Sequence, residues 1–199
     1  HYIVAIIVIA LLMLGRTAIA SPSTAITVND IEQFPVTLSP YISVFADSSQ
    51  KISIQDIKDI PDEQWQQGFT GTANFGFTDS AYWVRVRFNN TATSPQHIKL
   101  EQAYPLMDEV TFFSPKPSQK NAATTTYSSF HTGDSLPFAT RGILHRNFVF
   151  DITIPPESLQ TYYVRFHSRD TIEINFKLWD ELSFSAFDHT AQLMYGLFY

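Results

Sequence analysis

The 199-residue chain contains no cysteine. That excludes a disulfide framework, a thiolate metal site and a cysteine nucleophile, although it fixes no redox compartment. Basic residues are scarce as well. Thirteen Lys and Arg stand against 19 Asp and Glu, a net charge of −6, and no Lys/Arg run occurs, so the basic stripe of a nucleic-acid binder is missing. There is no nucleophile elbow, P-loop or dinucleotide-binding glycine run. His97, His131, His145, His167 and His189 are scattered, with no pair at metal-ligand spacing. His131 and Asp134 lie close together beside a glycine and read as turn residues. Asp56, Asp59 and Asp62 recur at a spacing of three. A calcium loop needs convergent oxygens on a loop with glycine, so they read as the solvated face of a short helical turn. No carboxylate pair is singled out for glycoside hydrolysis. The chain reads as non-catalytic, with no cofactor and no metal.

Aromatic residues are abundant, at 15% with 17 Phe, and together with frequent Val, Ile, Thr and Tyr they bias the chain toward strands. Tyr2 to Leu14 is an unbroken apolar run, followed by Ala18-Ile19-Ala20 before Ser21-Pro22. At about 13 residues the run falls short of the roughly 20 that a spanning helix needs. A short apolar core before Ala-x-Ala predicts a secretory signal peptide over 1–20, cleaved after Ala20. Ile26 to Leu38 reads as a leading strand and turn, and Lys51 to Ile60 as a strand passing into a helical turn. Further alternating segments centre on Val84, Leu100, Val110, Phe150, Val164 and Ile174, divided by turn signals, with Pro115 to Ser129 as a long hairpin loop or insertion. About eight antiparallel strands and no long helix between them predict an all-β sandwich, jelly-roll-like or immunoglobulin-like, over 26–187. Residues 188–199 show apolar positions at helical spacing and read as the start of a helix.

One strand carries an unusual face. Val84, Val86 and Phe88 point one way; Trp83, Arg85 and Arg87 point the other. A second strand repeats the pattern, with Tyr162, Val164 and Phe166 inward and Tyr163, Arg165 and His167 outward. In one sheet these outward rows make an aromatic-and-guanidinium surface. Aromatic faces stack on sugar rings, and Arg forks hold carboxylates or hydroxyls, so the surface suits a carbohydrate or a small acid. The competing reading is that the guanidiniums brace the sheet, stacked on Trp and paired with Glu101, Glu109 or Glu173. Open, unpaired guanidiniums favour binding; guanidiniums saturated by carboxylates under a loop favour bracing.

Several segments together carry a family resemblance: Ser39 to Asp47, Asn74-Phe-Gly-Phe-Thr-Asp-Ser-Ala-Tyr-Trp-Val-Arg-Val-Arg-Phe-Asn89, Tyr104-Pro-Leu-Met-Asp-Glu-Val110, Thr132-Gly-Asp-Ser-Leu-Pro-Phe-Ala-Thr-Arg141 and Tyr163-Val-Arg165. In order and spacing they resemble the type 2 extracellular domain of bacterial seven-transmembrane receptors with diverse intracellular signalling modules. The resemblance runs from about Pro40 to Phe187; the polar stretch around Gln119 to Thr126 departs from it. It implies a jelly-roll sandwich similar to carbohydrate-binding modules, held in the periplasm of an inner-membrane protein ahead of seven membrane helices. The first of those helices would begin near Leu193. A diguanylate cyclase, histidine kinase or phosphatase would follow. On this view Trp83 and Tyr163 stack on a small ligand, while Arg85, Arg87, Arg141 and Arg165, with His167, bind its polar groups. The alternatives are a spacer that dimerises or docks a periplasmic protein, and a secreted carbohydrate-active enzyme or its binding module.

Overall fold

The computed structural model describes residues 25–116 and 125–197. The expected signal peptide and most of the 119–126 insertion lie outside them. In chain order the elements are β1 (Ile26–Thr27), β2 (Val36–Thr37), β3 (Ile42–Asp47), α1 (Ile54–Ile57), β4 (Ala73–Phe77), β5 (Ala81–Asn90), β6 (Gln96–Gln102), β7 (Glu109–Pro115), β8 (Tyr127–Thr132), β9 (Phe148–Ile154), β10 (Ser158–His167), β11 (Thr171–Ile174), β12 (Phe176–Trp179) and α2 (Glu181–Leu197). A six-stranded sheet runs β1-β5-β10-β7-β8, with β3 also on β5. A four-stranded sheet runs β2-β12-β6-β9, and β4 and β11 form a separate pair.

The fold is thus an all-β sandwich, with twelve strands among the described residues against the eight or so expected. The excess consists of short pieces. Ile26 to Leu38 breaks into β1 and β2 around a 3-10 turn at Val28–Asp30. β1 lies parallel to β5, Ile26 opposite Phe88, so the pairing is not wholly antiparallel. The strand expected from Lys51 does not form. Ser53 instead caps the single turn of α1. Its hydroxyl accepts from the Asp56 N–H, and the Asp56 carboxylate accepts from the Ser53 N–H and hydroxyl at 3.1 and 2.6 Å, which holds the Asp56 carboxyl below the usual range.

β5 and β10 are ten residues each and run antiparallel through the centre, with Val84 opposite Val164 and Arg85 opposite Tyr163. Their apolar alternation points into the sandwich. Val84, Val86, Phe88, Tyr162, Val164 and Phe166 meet Leu100, Phe150, Phe176 and Leu178 of the facing sheet. Phe112 stacks on Phe150 and Tyr162, with centroids at 4.6 and 5.9 Å. Each such side chain contributes about 1.5–3 kcal/mol on burial, so this two-sided apolar seam dominates the fold. Asn90 ends β5 in the buried interior, donating to the carbonyls of Ser94, Ile154 and Pro155.

Both outer faces are also covered in part. On the four-stranded sheet Glu101 is buried, accepting from Asn147 Nδ2 at 2.6 Å and from Trp179 Nε1 at 2.7 Å. Onto this network packs α2, N-capped by Asp180, through Phe184 and Phe187 against Trp179. Lys99 ties β6 to Asp151 and to Glu181 in the helix's first turn, at 2.6 and 2.9 Å. The helix begins seven residues before the 188 expected, because its first turns belong to the sandwich surface. Among the described residues no helix is long and apolar enough to cross a membrane.

Candidate functional site

The Trp83–Arg85–Arg87 row does point away from the main core, and it does share a sheet with Tyr163 and Arg165. It does not face solvent. Residues 48–66 fold back over it as a lid. The lid leaves β3 at Asp47, whose buried carboxylate accepts from the N–H groups of Ser49 and Ile52 at 3.0 Å each. It carries α1 and a 3-10 turn at Asp62–Gln64, and it rejoins the sheet where Val44 and Gln66 exchange backbone hydrogen bonds at 2.8 Å. Ile57 and Trp65 from the lid form a second apolar cluster with Trp83 and Tyr163, joined by Phe45, Ile52, Ile54, Ile60, Phe113 and Tyr127. Trp83 stacks on Phe113 at 5.3 Å, and Trp65 meets Tyr163 at 6.2 Å.

Arg85 lies in the middle of this cluster, its side chain 3% exposed. Its guanidinium sits 4.4 Å from the Trp65 ring, a cation–π contact. Nη1 pairs with Asp62 Oδ1 at 2.7 Å, and the same oxygen lies 3.4 Å from Arg87 Nη2. Nε and Nη2 of Arg85 are buried without a hydrogen-bond partner among the described residues, as are Trp83 Nε1 and Ser43 Oγ. Ser43 and Tyr163 stand opposite Arg85 on the strands either side. Burial, and then the charge of Arg87, lower the Arg85 pKa from the ordinary arginine value, and Asp62 opposes them. Burial raises the Tyr163 phenol, against the pull of Arg85 and Arg87. Arg165 Nη2 donates to the Gln50 carbonyl at 3.0 Å, and Gln50 Nε2 donates to the Asp79 carbonyl at 2.6 Å, which anchors the lid at its N-terminal end.

The carboxylates expected to brace the row lie elsewhere. Glu101 is on the other sheet beneath α2, Glu109 faces His167 at 3.8 Å, and Glu173 stands on β11, which pairs with β4. The partner is Asp62, read from the sequence as part of a solvated face. Its distance of 25 positions from Arg87 gives no local signal for the pairing. A signal for the cover did exist: a strand with Trp on one face and Val and Phe on the other is apolar on both sides. The structure brings together Trp83, Arg85, Arg87, Tyr163 and Arg165. His167, half-buried, lies further along β10. Arg141 has no contact with the row. It donates to the His145 carbonyl at 2.9 Å and to the Arg146 carbonyl, and its guanidinium lies over Phe138 and Phe148 at 4.9 and 4.5 Å. Among the described residues no group of three or more His, Asp or Glu converges to hold a metal ion.

The row is thus a covered cationic strip on one outer face of a β-sandwich. The chain matches the family model 7TMR-DISM extracellular 2 over residues 39–180, and it belongs to that family. No curated protein matches the chain.

Proposed function

We infer that this domain is the periplasmic ligand-sensing module of a bacterial membrane receptor. It is a jelly-roll-like sandwich that binds a small molecule, a carbohydrate or its acid, and signals to a cytoplasmic diguanylate cyclase or histidine kinase. Membership of the receptor family over 39–180 carries this reading. The site is the row beneath the lid, where Arg85, Arg87 and Arg165 offer donors beside Trp83 and Tyr163, whose rings in the closed state pack against Phe113 and Trp65. A ligand acts only through a difference in affinity between receptor states, and a lid that covers the row in one state supplies such a difference.

Thermal-shift measurement against neutral and acidic sugars tests the ligand half. Saturable stabilisation is expected, and a silent panel refutes it. The gene beyond Tyr199 tests the receptor half, because seven apolar spans and a signalling domain should follow. A second reading, a structural or dimerising module without a ligand, is favoured by one observation: Arg85 already has a carboxylate partner within the chain.

A further inference from the structure

Three guanidiniums, Arg85, Arg87 and Arg165, lie along the lid, yet among the described residues one carboxylate, Asp62, pairs with them; Arg165 is bonded to a backbone carbonyl. The pairing is also incomplete in its geometry. A single Asp62 oxygen touches Nη1 of Arg85 and Nη2 of Arg87. The side edge of the Arg85 guanidinium, Nε with Nη2, is the edge that grips a carboxylate by two parallel hydrogen bonds. Both of its donors are buried and make no hydrogen bond of good geometry, although the guanidinium lies close enough to the Tyr163 phenol to interact with it; the neighbouring Trp83 Nε1 and Ser43 Oγ are buried and unpartnered too. Exposure is asymmetric across the pair: the Arg85 side chain is 3% exposed and that of Asp62 is 41%. Asp62 is therefore a stopper at the solvent side of a buried cationic seat.

We propose that the Arg85–Arg87 pair, with Trp83 Nε1 and Ser43 Oγ, is the seat of a small-molecule carboxylate, and that Asp62, held on Nη1 of Arg85 and Nη2 of Arg87, closes the solvent side of that seat as a tethered competitor when the lid is down. This rests on reading the row as the ligand site, and it assigns the ligand class as a carboxylic acid rather than a neutral sugar. The exchange involves no covalent step. An external carboxylate takes the Nε–Nη2 edge, Asp62 passes to solvent, and the lid loses the ion pair that holds its 3-10 turn to β5. As a tethered competitor, Asp62 acts at an effective concentration on the order of millimolar, so its removal should sharpen binding.

The test compares the full chain with Asp62→Ala, using acetate and D-glucuronate as probes and chloride and D-glucose as controls. The readouts are thermal stability and tryptophan fluorescence; Trp65 and Trp83, two of the three tryptophans, lie at the site. D62A should melt lower than wild type and be restored saturably by both carboxylates. Chloride at matched ionic strength and glucose should do nothing. The half-saturating glucuronate concentration should fall at least about tenfold relative to wild type, the effect of losing the tethered competitor. If D62A does not fold, Asp62→Asn is read in the same way, and recovery of folded protein only when carboxylate is present supports the seat. A response to carboxylates no larger than to chloride overturns it. In that case stabilisation of wild type by a neutral sugar would leave the sensing reading standing and remove only the carboxylate assignment.

Discussion

Glu101 accepts two buried hydrogen bonds, from Asn147 and from Trp179, and through Trp179 it underlies the docked helix α2. Glu101→Gln keeps the shape but replaces one acceptor oxygen with an NH2 group. Facing the indole N–H that group meets a donor, and facing Asn147 it meets the Nδ2 amide group as that side chain stands, a clash relieved only if Asn147 turns its Oδ1 inward. One charge-assisted hydrogen bond is lost and one buried donor is left unpaired. Each effect is worth about 1–3 kcal/mol and they overlap, so about 2–3 kcal/mol of destabilisation is expected. For a domain of this size each kcal/mol moves Tm by about 2–4 °C, which puts the drop at about 4–12 °C.

Trp179→Phe makes the argument testable beyond a loss of stability. It removes the indole N–H and retains an aromatic body. In that background the carbonyl of the introduced glutamine can accept from Asn147 while its NH2 opposes no donor, so the same Glu→Gln change should cost about 1 kcal/mol or less. The double-mutant cycle, followed by thermal and urea unfolding, should therefore show a coupling of about 1–2 kcal/mol. Two changes that add to within about 0.5 kcal/mol would refute the shared-carboxylate account.

Two more outcomes follow from buried groups. A side chain on Gly133 would be driven into the Asp108 carbonyl, which is fixed by hydrogen bonds from the Ser135 N–H and hydroxyl; Gly133→Ala should cost about 3 kcal/mol, read as a lowered Tm or lost folded yield. Alkaline pH should unfold the domain through its buried phenols. Burial pushes Tyr162 from 10.0 up to about 12 and also raises Tyr163 and Tyr127. A raised folded pKa gives stability that is complete below the unfolded value and lost above it, so melts should hold below pH 10 and fall as pH rises toward about 12. Lys99 adds to this window: burial lowers its pKa, but Asp151 and Glu181 outweigh that and leave it raised. Phenolate absorbance of the buried tyrosines should appear only together with unfolding.

The sandwich was legible because β5 and β10 alternate without a break, and a period of two with Val and Phe on one face leaves few alternatives. The same alternation placed Trp83, Arg85 and Tyr163 on the opposite face. It was silent on what covers that face. Ile52, Ile57 and Trp65 are separated by Asp and Gln, so the lid reads as a solvated turn, and its docking depends on contacts far apart in sequence. Sheet membership was equally hidden. Glu101 and Glu173 were reasonable partners for the row by chemistry, but strand order puts β6 in the other sheet. The early start of α2 had the same cause, because Phe184 is helical through its packing on Trp179 and not through any strong local pattern.

The lid and α2 lie on opposite outer faces of the sandwich, and this placement bears on how a bound ligand could be felt. Stacked sheets stand about 10 Å apart, and packed cores switch between discrete arrangements more readily than they deform. The chain offers one direct route: β10 runs through β11 and β12 into α2, and Gln102 pins its corner by donating to the Glu173 carbonyl and accepting from the Asn175 N–H. With that corner pinned, and with Glu101, Lys99 and Trp179 holding the helix, the sheets and the start of α2 should behave as one body. The lid is a separate piece, fastened by Asp62, Gln50, one backbone bridge, the Asp47 carboxylate at its base and the burial of Ile57 and Trp65. Asp62→Ala should therefore speed amide hydrogen exchange over 48–66 and leave 180–188 unchanged. Faster exchange in α2 would show instead that the two faces are coupled through the core, and the rigid-body argument would fail.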